Sequence, residues 1–132
     1  DLAVKVWNMA TNKIIHSFTD RKTTGPVTDL IWTIDPTKEP PEPKEGEEPP
    51  KPLDWMIVTT EDGVPRQYTE FVVHDGTQRS GEARMRAWPA SEEEKMMTVV
   101  SWLSDRKQLV FGDVAGNVVL RDSAGKVLQT LD

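Results

Sequence analysis

Apolar and polar residues alternate with a period of two along most of this chain. The pattern opens with Val4-Lys5-Val6-Trp7-Asn8 and Lys13-Ile14-Ile15-His16-Ser17-Phe18. It continues in Val27-Thr28-Asp29-Leu30-Ile31-Trp32 and in residues 55–59, 84–88, 97–102, 108–112, 118–122 and 126–131. Successive side chains of a strand point to opposite faces, so such runs predict short half-buried β-strands. Val, Ile, Trp, Phe and Thr dominate them, and these residues suit a pleated surface. Turn signals lie between the runs: Asp35-Pro36, Glu61-Asp62-Gly63, Ser104-Asp105, and Asp113 followed by Gly116. The best helical candidate is residues 91–97, where Ser91 and Glu94 could form a capping box. That is one or two turns, and the predicted class is all-β.

The runs also repeat. Residues 27–32 align with Met97-Thr98-Val99-Val100-Ser101-Trp102, both ending on Trp and both followed by a turn containing Asp. Residues 55–59 align with 108–112, each closing on an acidic residue and a Gly. Residues 4–8 align with Val118-Val119-Leu120-Arg121-Asp122, and 13–18 with 126–131. Arg84-Met85-Arg86-Ala87-Trp88 reads as a further copy of the Val-Lys-Val-Trp run. Repetition of short strand units is the mark of a stacked-sheet architecture.

These residues resemble the WD40 family. Trp7-Asn8 stands where that family has Trp-Asp; Trp88-Pro89 is a weaker copy, and Arg121-Asp122 keeps only the Asp. Residues 97–131 match nearly one full family repeat, as strand, Ser-Asp turn, strand, Asp-x-x-Gly turn, strand, Ala-Gly-Lys turn, strand. The resemblance implies β-propeller blades, each a four-stranded antiparallel sheet, in an incomplete ring. It marks Trp7, Trp32, Trp88 and Trp102 as structural repeat positions and Asp35 and Asp105 as turn aspartates. The family's Gly-His dipeptide is absent, and neither His16 nor His74 falls at its place. Only residues 89–96 remain for a strand between Trp88 and Met97, so that blade either lost its outer strand or is short of residues. Closure takes about 4–8 blades. The chain is therefore expected to belong to a longer protein, or to complete its ring with a partner or another copy of itself.

The expected unit is residues 1–132, a propeller fragment with two insertions. Residues 36–53 are rich in Pro, Glu and Lys and lack the apolar area to offset ordering entropy. They predict an extended loop, either a tolerated surface insertion or a docking arm. Residues 64–82 form the second insertion, with alternation over residues 68–73 that suggests an extra strand or hairpin arm. Tyr68 and Phe71 there either cap the blade edge or meet a partner.

Chemistry is sparse. The net charge is -6, which opposes general binding to nucleic acid or anionic membranes. There is no Cys, so no disulfide or thiolate metal site is possible. The longest apolar runs fall far short of a membrane span, and no charged-then-apolar leader precedes them. Two His are present, and only His74-Asp75 sits beside a carboxylate; a catalytic triad or zinc site is not expected. No phosphate-binding glycine motif occurs, and the Glu92-Glu93-Glu94 run reads as a solvated turn. Arg79, Arg84 and Arg86 form a small basic strip, with Arg84 and Arg86 on one strand face. That face is either plain solvated surface or a contact for an acidic protein segment or phosphate.

Together these features predict a non-catalytic, cofactor-free scaffold that binds other proteins within a large complex. The candidate contacts are Tyr68, Phe71, Arg84 and Arg86. The family likeness points to a cytoplasmic assembly of the trafficking, ciliary or cytoskeletal kind. The alternatives are a C-terminal sensor propeller of a signalling protein and a propeller hydrolase.

Overall fold

The computed structural model describes residues 2–20, 26–37, 45–46, 52–74, 83–88 and 97–131. Those residues form ten strands and no helix. They are β1 (Leu2–Asn8), β2 (Lys13–Asp20), β3 (Val27–Ile34), β4 (Asp54–Thr60), β5 (Arg66–Phe71), β6 (Arg84–Ala87), β7 (Met97–Leu103), β8 (Gln108–Asp113), β9 (Val118–Asp122) and β10 (Val127–Leu131). They group into a two-stranded sheet β1-β2 and two four-stranded sheets, β3-β4-β5-β6 and β7-β8-β9-β10. Every pairing is antiparallel and follows chain order. These are blade-like sheets of the predicted class, and among the described residues they do not close into a ring.

The sheets stack face to face, with β3–β6 in the middle. Alternation within β4 shows how. Met56 and Val58 join Ile15, Phe18, Tyr68, Phe71 and Val73 in one core, with Val4 and Val6 packed on it. Trp55 and Ile57 join Trp88, Val100, Leu109, Phe111 and Val119 in a second core, with Ile31 and Trp102 packed on it. Every residue of β4 is therefore buried, as expected of a strand covered on both faces. Its ends also carry polar groups. Thr59 Oγ1 lies 2.8 Å from Thr28 Oγ1, and Thr60 Oγ1 accepts a 2.9 Å bond from Arg66.

The repeat is geometric as well as textual. The pairing of β3 with β4 shifts register between Val27 and Asp29. The pairing of β7 with β8 shifts between Met97 and Val99, at the equivalent place. Each bulge inserts one extra residue and bends its strand. Turns recur too. Asn8 Oδ1 accepts the N–H groups of Ala10 (2.9 Å) and Thr11 (3.2 Å). Asp122 Oδ1 accepts those of Ala124 (3.0 Å) and Lys126 (2.9 Å). Asp113 does the same for Ala115 and Asn117. A short side-chain acceptor at a strand end holds the next turn in place.

Two expectations need correction. The strand expected over residues 68–73 is present as β5 (Arg66–Phe71), but it is the third strand of the middle sheet, paired with β4 and β6, rather than part of an insertion. Residues 84–87 are then the fourth strand, whereas residues 118–122, the aligned copy of the Val-Lys-Val-Trp run, are the third strand of their sheet; among the described residues the middle sheet has four strands. Trp88 thus follows an outer strand, while Trp7 and Arg121 end or near the end of strands that pair with the next one in the chain. Of the proposed helix at 91–97, Met97 begins β7; residues 91–96 lie outside the described residues. Of the segment 36–53, Pro36, Thr37, Glu45, Gly46, Pro52 and Leu53 are described. Its two ends meet, since Asp35 N–H donates to the Leu53 carbonyl at 2.8 Å.

Candidate interaction surface

Apolar side chains stay bare on the two outer sheets and on one stripe of the middle one. In β3, Ile31 packs into the second core. Asp29 Oδ2 accepts the N–H of Val100 in β7 at 3.0 Å. Both face the β7–β10 sheet, so by alternation Leu30, Trp32 and Ile34 face the other way. All three are exposed, Trp32 at 45%. The third sheet buries Val100 and Phe111 against the middle sheet and leaves Val99 and Val118 exposed. Its last strand, β10, is exposed throughout, Leu128 and Leu131 included. In β1, Trp7 is 49% exposed.

The residues singled out from sequence are distributed differently. Tyr68 and Phe71 are buried, and Phe18 meets both edge-on, with ring centroids 5.0 and 4.9 Å away. They are core, not partner contacts: β5 is covered by β2, a coverage that strand periodicity by itself does not reveal. Arg84 and Arg86 are exposed. Arg84 lies 3.7 Å from Glu70, and Arg86 donates to the Ala124 carbonyl at 2.8 Å. The Arg86 face is thus the one turned toward the third sheet, and Arg86 belongs to the rim of that packing rather than to an outward patch. Arg79 and residues 92–94 lie outside the described residues.

The repeat tryptophans have different surroundings. Trp88 is buried; its N–H donates to the Pro65 carbonyl (2.8 Å) and its Nε1 to Gln67 Oε1 (3.2 Å). Its ring meets Phe111 edge-on at 6.2 Å. Trp102 is half-buried against Trp55, 5.3 Å between centroids. Trp32 and Trp7 are half bare. The two turn aspartates differ as well: Asp35 is buried and accepts the Thr37 N–H at 2.8 Å, while Asp105 is exposed.

Charged groups are built into the stack at three places. Arg121 is buried, donates to the Gly125 carbonyl at 3.1 Å and lies over the Phe111 ring; burial pushes its guanidinium pKa down. Burial alone would raise the Asp62 carboxyl. Hydrogen bonds from Arg66, Thr60 and the Val64 N–H, with the Arg66 charge, hold it below its ordinary value. The Arg66–Asp62 pair closes at 2.7 Å. Asp54 accepts the N–H groups of Val73 (2.5 Å) and His74 (3.0 Å) and lies 2.9 Å from His74 Nδ1. The structural partner of His74 is therefore Asp54, and this trio ties the chain after β5 to the start of β4; Asp75 lies outside the described residues.

Sequence reasoning missed Leu30, Ile34, Asp29, Val99, Leu128 and Leu131. Their alternation was visible, but which faces find a cover depends on how the sheets stack. Among the described residues no group of three His, Asp or Glu could hold a metal ion, and no helix is long and apolar enough to cross a membrane. No family model matches the chain, and no curated protein matches it.

Proposed function

We propose that this chain is a non-catalytic protein-interaction module, a WD-repeat subunit or segment of a larger assembly. One observation carries the reading. The middle sheet is sealed on both faces of β4, while Leu30, Trp32, Ile34, Val99, Val118, Leu128 and Leu131 stand bare on neighbouring faces and edges. Exposed apolar side chains in register along one strand, as Leu30, Trp32 and Ile34 are, suit a contact site, and open strand edges invite pairing. The WD-repeat assignment is supported by the sheets of four strands in chain order, the recurring bulge and the Asn8 and Asp122 turns. An acidic, Cys-free composition fits protein partners in the cytoplasm. The family likeness favours a trafficking, ciliary or cytoskeletal complex.

The test is chemical cross-linking of the protein in its native assembly, read by mass spectrometry. Cross-links to other proteins should concentrate on Lys5, Lys13, Lys107 and Lys126, which sit on the outer sheets or their turns. Val99→Glu and Leu128→Glu should deplete the neighbours without unfolding the chain. A protein that migrates alone in gentle lysates, with no neighbours cross-linked, overturns the reading.

A further inference from the structure

Asp35 Oδ2 and Trp55 Nε1 are buried and have no hydrogen-bond partner among the described residues. Asp35 is 4% exposed and Trp55 not at all. The strand register brings the two side chains together. Thr33 stands opposite Trp55 in the pairing of β3 with β4. The Asp35 N–H donates to the Leu53 carbonyl at 2.8 Å, so Asp35 stands opposite Leu53, two residues before Trp55. Alternation from Asp29 and Ile31 puts Thr33 and Asp35 on the face turned to the third sheet. Trp55 lies on that face too, in the second core. Asp35 and Trp55 are thus diagonal neighbours, with Cβ atoms within about 7–8 Å.

Each side chain is also fixed. Asp35 Oδ1 accepts both the N–H (2.8 Å) and the hydroxyl (2.5 Å) of Thr37. The Trp55 ring is set against Trp102, 5.3 Å between centroids. A buried polar atom without a partner is costly, and these two are complementary, since an indole N–H only donates and a carboxylate only accepts. The repeat shows what distinguishes this corner. Asp105 and Gln108 hold the equivalent positions in the third sheet. Asp105 is exposed and Gln108 half-buried, so solvent serves both. In the middle sheet that face is covered by the third.

We propose that Asp35 Oδ2 and Trp55 Nε1 form the seat of one buried water molecule between the middle and third sheets. The pair dictates the chemistry of the occupant, which accepts from the indole and donates to the carboxylate. A metal ion or an ammonium group cannot accept, and an anion is repelled by Asp35. A hydroxyl does both, and water is the smallest molecule that carries one. A buried water takes two to four polar partners; Thr33, opposite Trp55 and two residues before Asp35, offers a third. The water ties the neck of the 36–53 segment, where Asp35 and Leu53 meet, to the Trp55–Trp102 contact. The site stands whether or not the chain binds other proteins.

The test is water-selective NMR on the isotopically labelled full chain. The Trp55 indole proton, assigned by its loss in Trp55→Phe, should exchange slowly with solvent. It should also show a direct dipolar cross-peak to a water that stays far longer than surface hydration. The Trp88 indole, which donates to Gln67 Oε1, should show none. In Asp35→Asn the carbonyl oxygen stays on the Thr37 N–H and the amide turns N–H groups toward the water. The cross-peak should then weaken roughly tenfold, with the amides of β3 and β4 still protected. A slowly exchanging Trp55 indole with no water cross-peak overturns the proposal, as does a cross-peak to a hydroxyl of the chain in its place. Fast exchange of that indole overturns it too, because bulk solvent then reaches the ring. An undiminished cross-peak in folded Asp35→Asn removes Asp35 from the site and the proposal with it. Should Asp35→Asn fail to fold, the spectrum of the parent chain decides.

Discussion

Gly125→Ala should be among the most damaging single-methyl changes available in this protein. Gly125 sits in the β9–β10 turn at φ +96°, a region that costs an L-residue roughly 1–2 kcal/mol. A Cβ built there would also lie 2.8–2.9 Å from Cδ2, Cε2 and Cγ of Trp88. The indole has little room to yield. It is buried, set edge-on to Phe111 and fixed through Nε1 to Gln67. Overpacking of this type costs about 1–3 kcal/mol, so the total is about 2–5 kcal/mol. Urea unfolding followed by tryptophan fluorescence would measure it. A double-mutant cycle with Trp88→Leu separates the parts. In the Trp88→Leu background the steric share should vanish and leave only the backbone share of about 1–2 kcal/mol. An equal cost in both backgrounds would refute the contact between the Trp88 ring and this turn. A cost well under about 1 kcal/mol would refute the turn conformation as well.

Asp62 is held below the ordinary aspartate value of 3.8, so its stabilisation is complete above that pH and is lost as pH falls through the lower folded value. The stability gap between the parent and Asp62→Asn should therefore be constant at neutral pH and close below about pH 4; a gap that widens in acid would contradict it. Replacing residues 38–51 by a short Gly/Ser link should change stability by less than about 1 kcal/mol, because Asp35 and Leu53 already meet; a loss of several kcal/mol in urea would show that the segment packs. Asp29→Ala should cost about 1–3 kcal/mol by stripping the Val100 N–H of its acceptor, and amide exchange at Val100 should quicken; unchanged exchange would refute the inter-sheet bond. Arg84→Ala should leave the melting temperature within a degree or two, since an exposed pair 3.7 Å long contributes about 0–1 kcal/mol.

Much of the fold is legible in the sequence because its signals are local. Residues 118–122 read as a strand with the bounds of β9, and β7, β8 and β10 differ from their predicted runs by a residue or so. Strong alternation and Asp-based turns fix such elements within a few residues of chain. The place of β5 inside the middle sheet escapes the reading for a physical reason, although the alternation over residues 68–73 marks a strand. Arg66, Gln67, Thr69 and Glu70 make it look like a polar arm, yet Arg66 is buried through bonds to Asp62 and Thr60. Burial by pairing hides the first residues of the strand, so the alternation becomes readable only from residue 68 onward. Trp88 then makes β6 read as a copy of the Val4–Trp7 run, because a Trp closing a strand looks alike wherever the strand lies in its sheet. The bare stripe of β3 is invisible for a further reason: Leu30 and Trp32 are as apolar as Val100 and Trp102, and only the neighbouring sheet distinguishes them.

The divided allegiance of β4 also sets a timetable for synthesis. As the chain leaves the ribosome, Met56 and Val58 can find the β1–β2 hairpin at once, since its residues are already outside. Trp55 and Ile57 wait for Val100, Leu109, Phe111 and Val119, which follow more than forty residues later. At about 5–20 residues per second, one side of the middle sheet stays wet for seconds, with an indole and an isoleucine on display. That interval, rather than the finished fold, is when this protein is most open to chaperones and most prone to pair with the wrong chain.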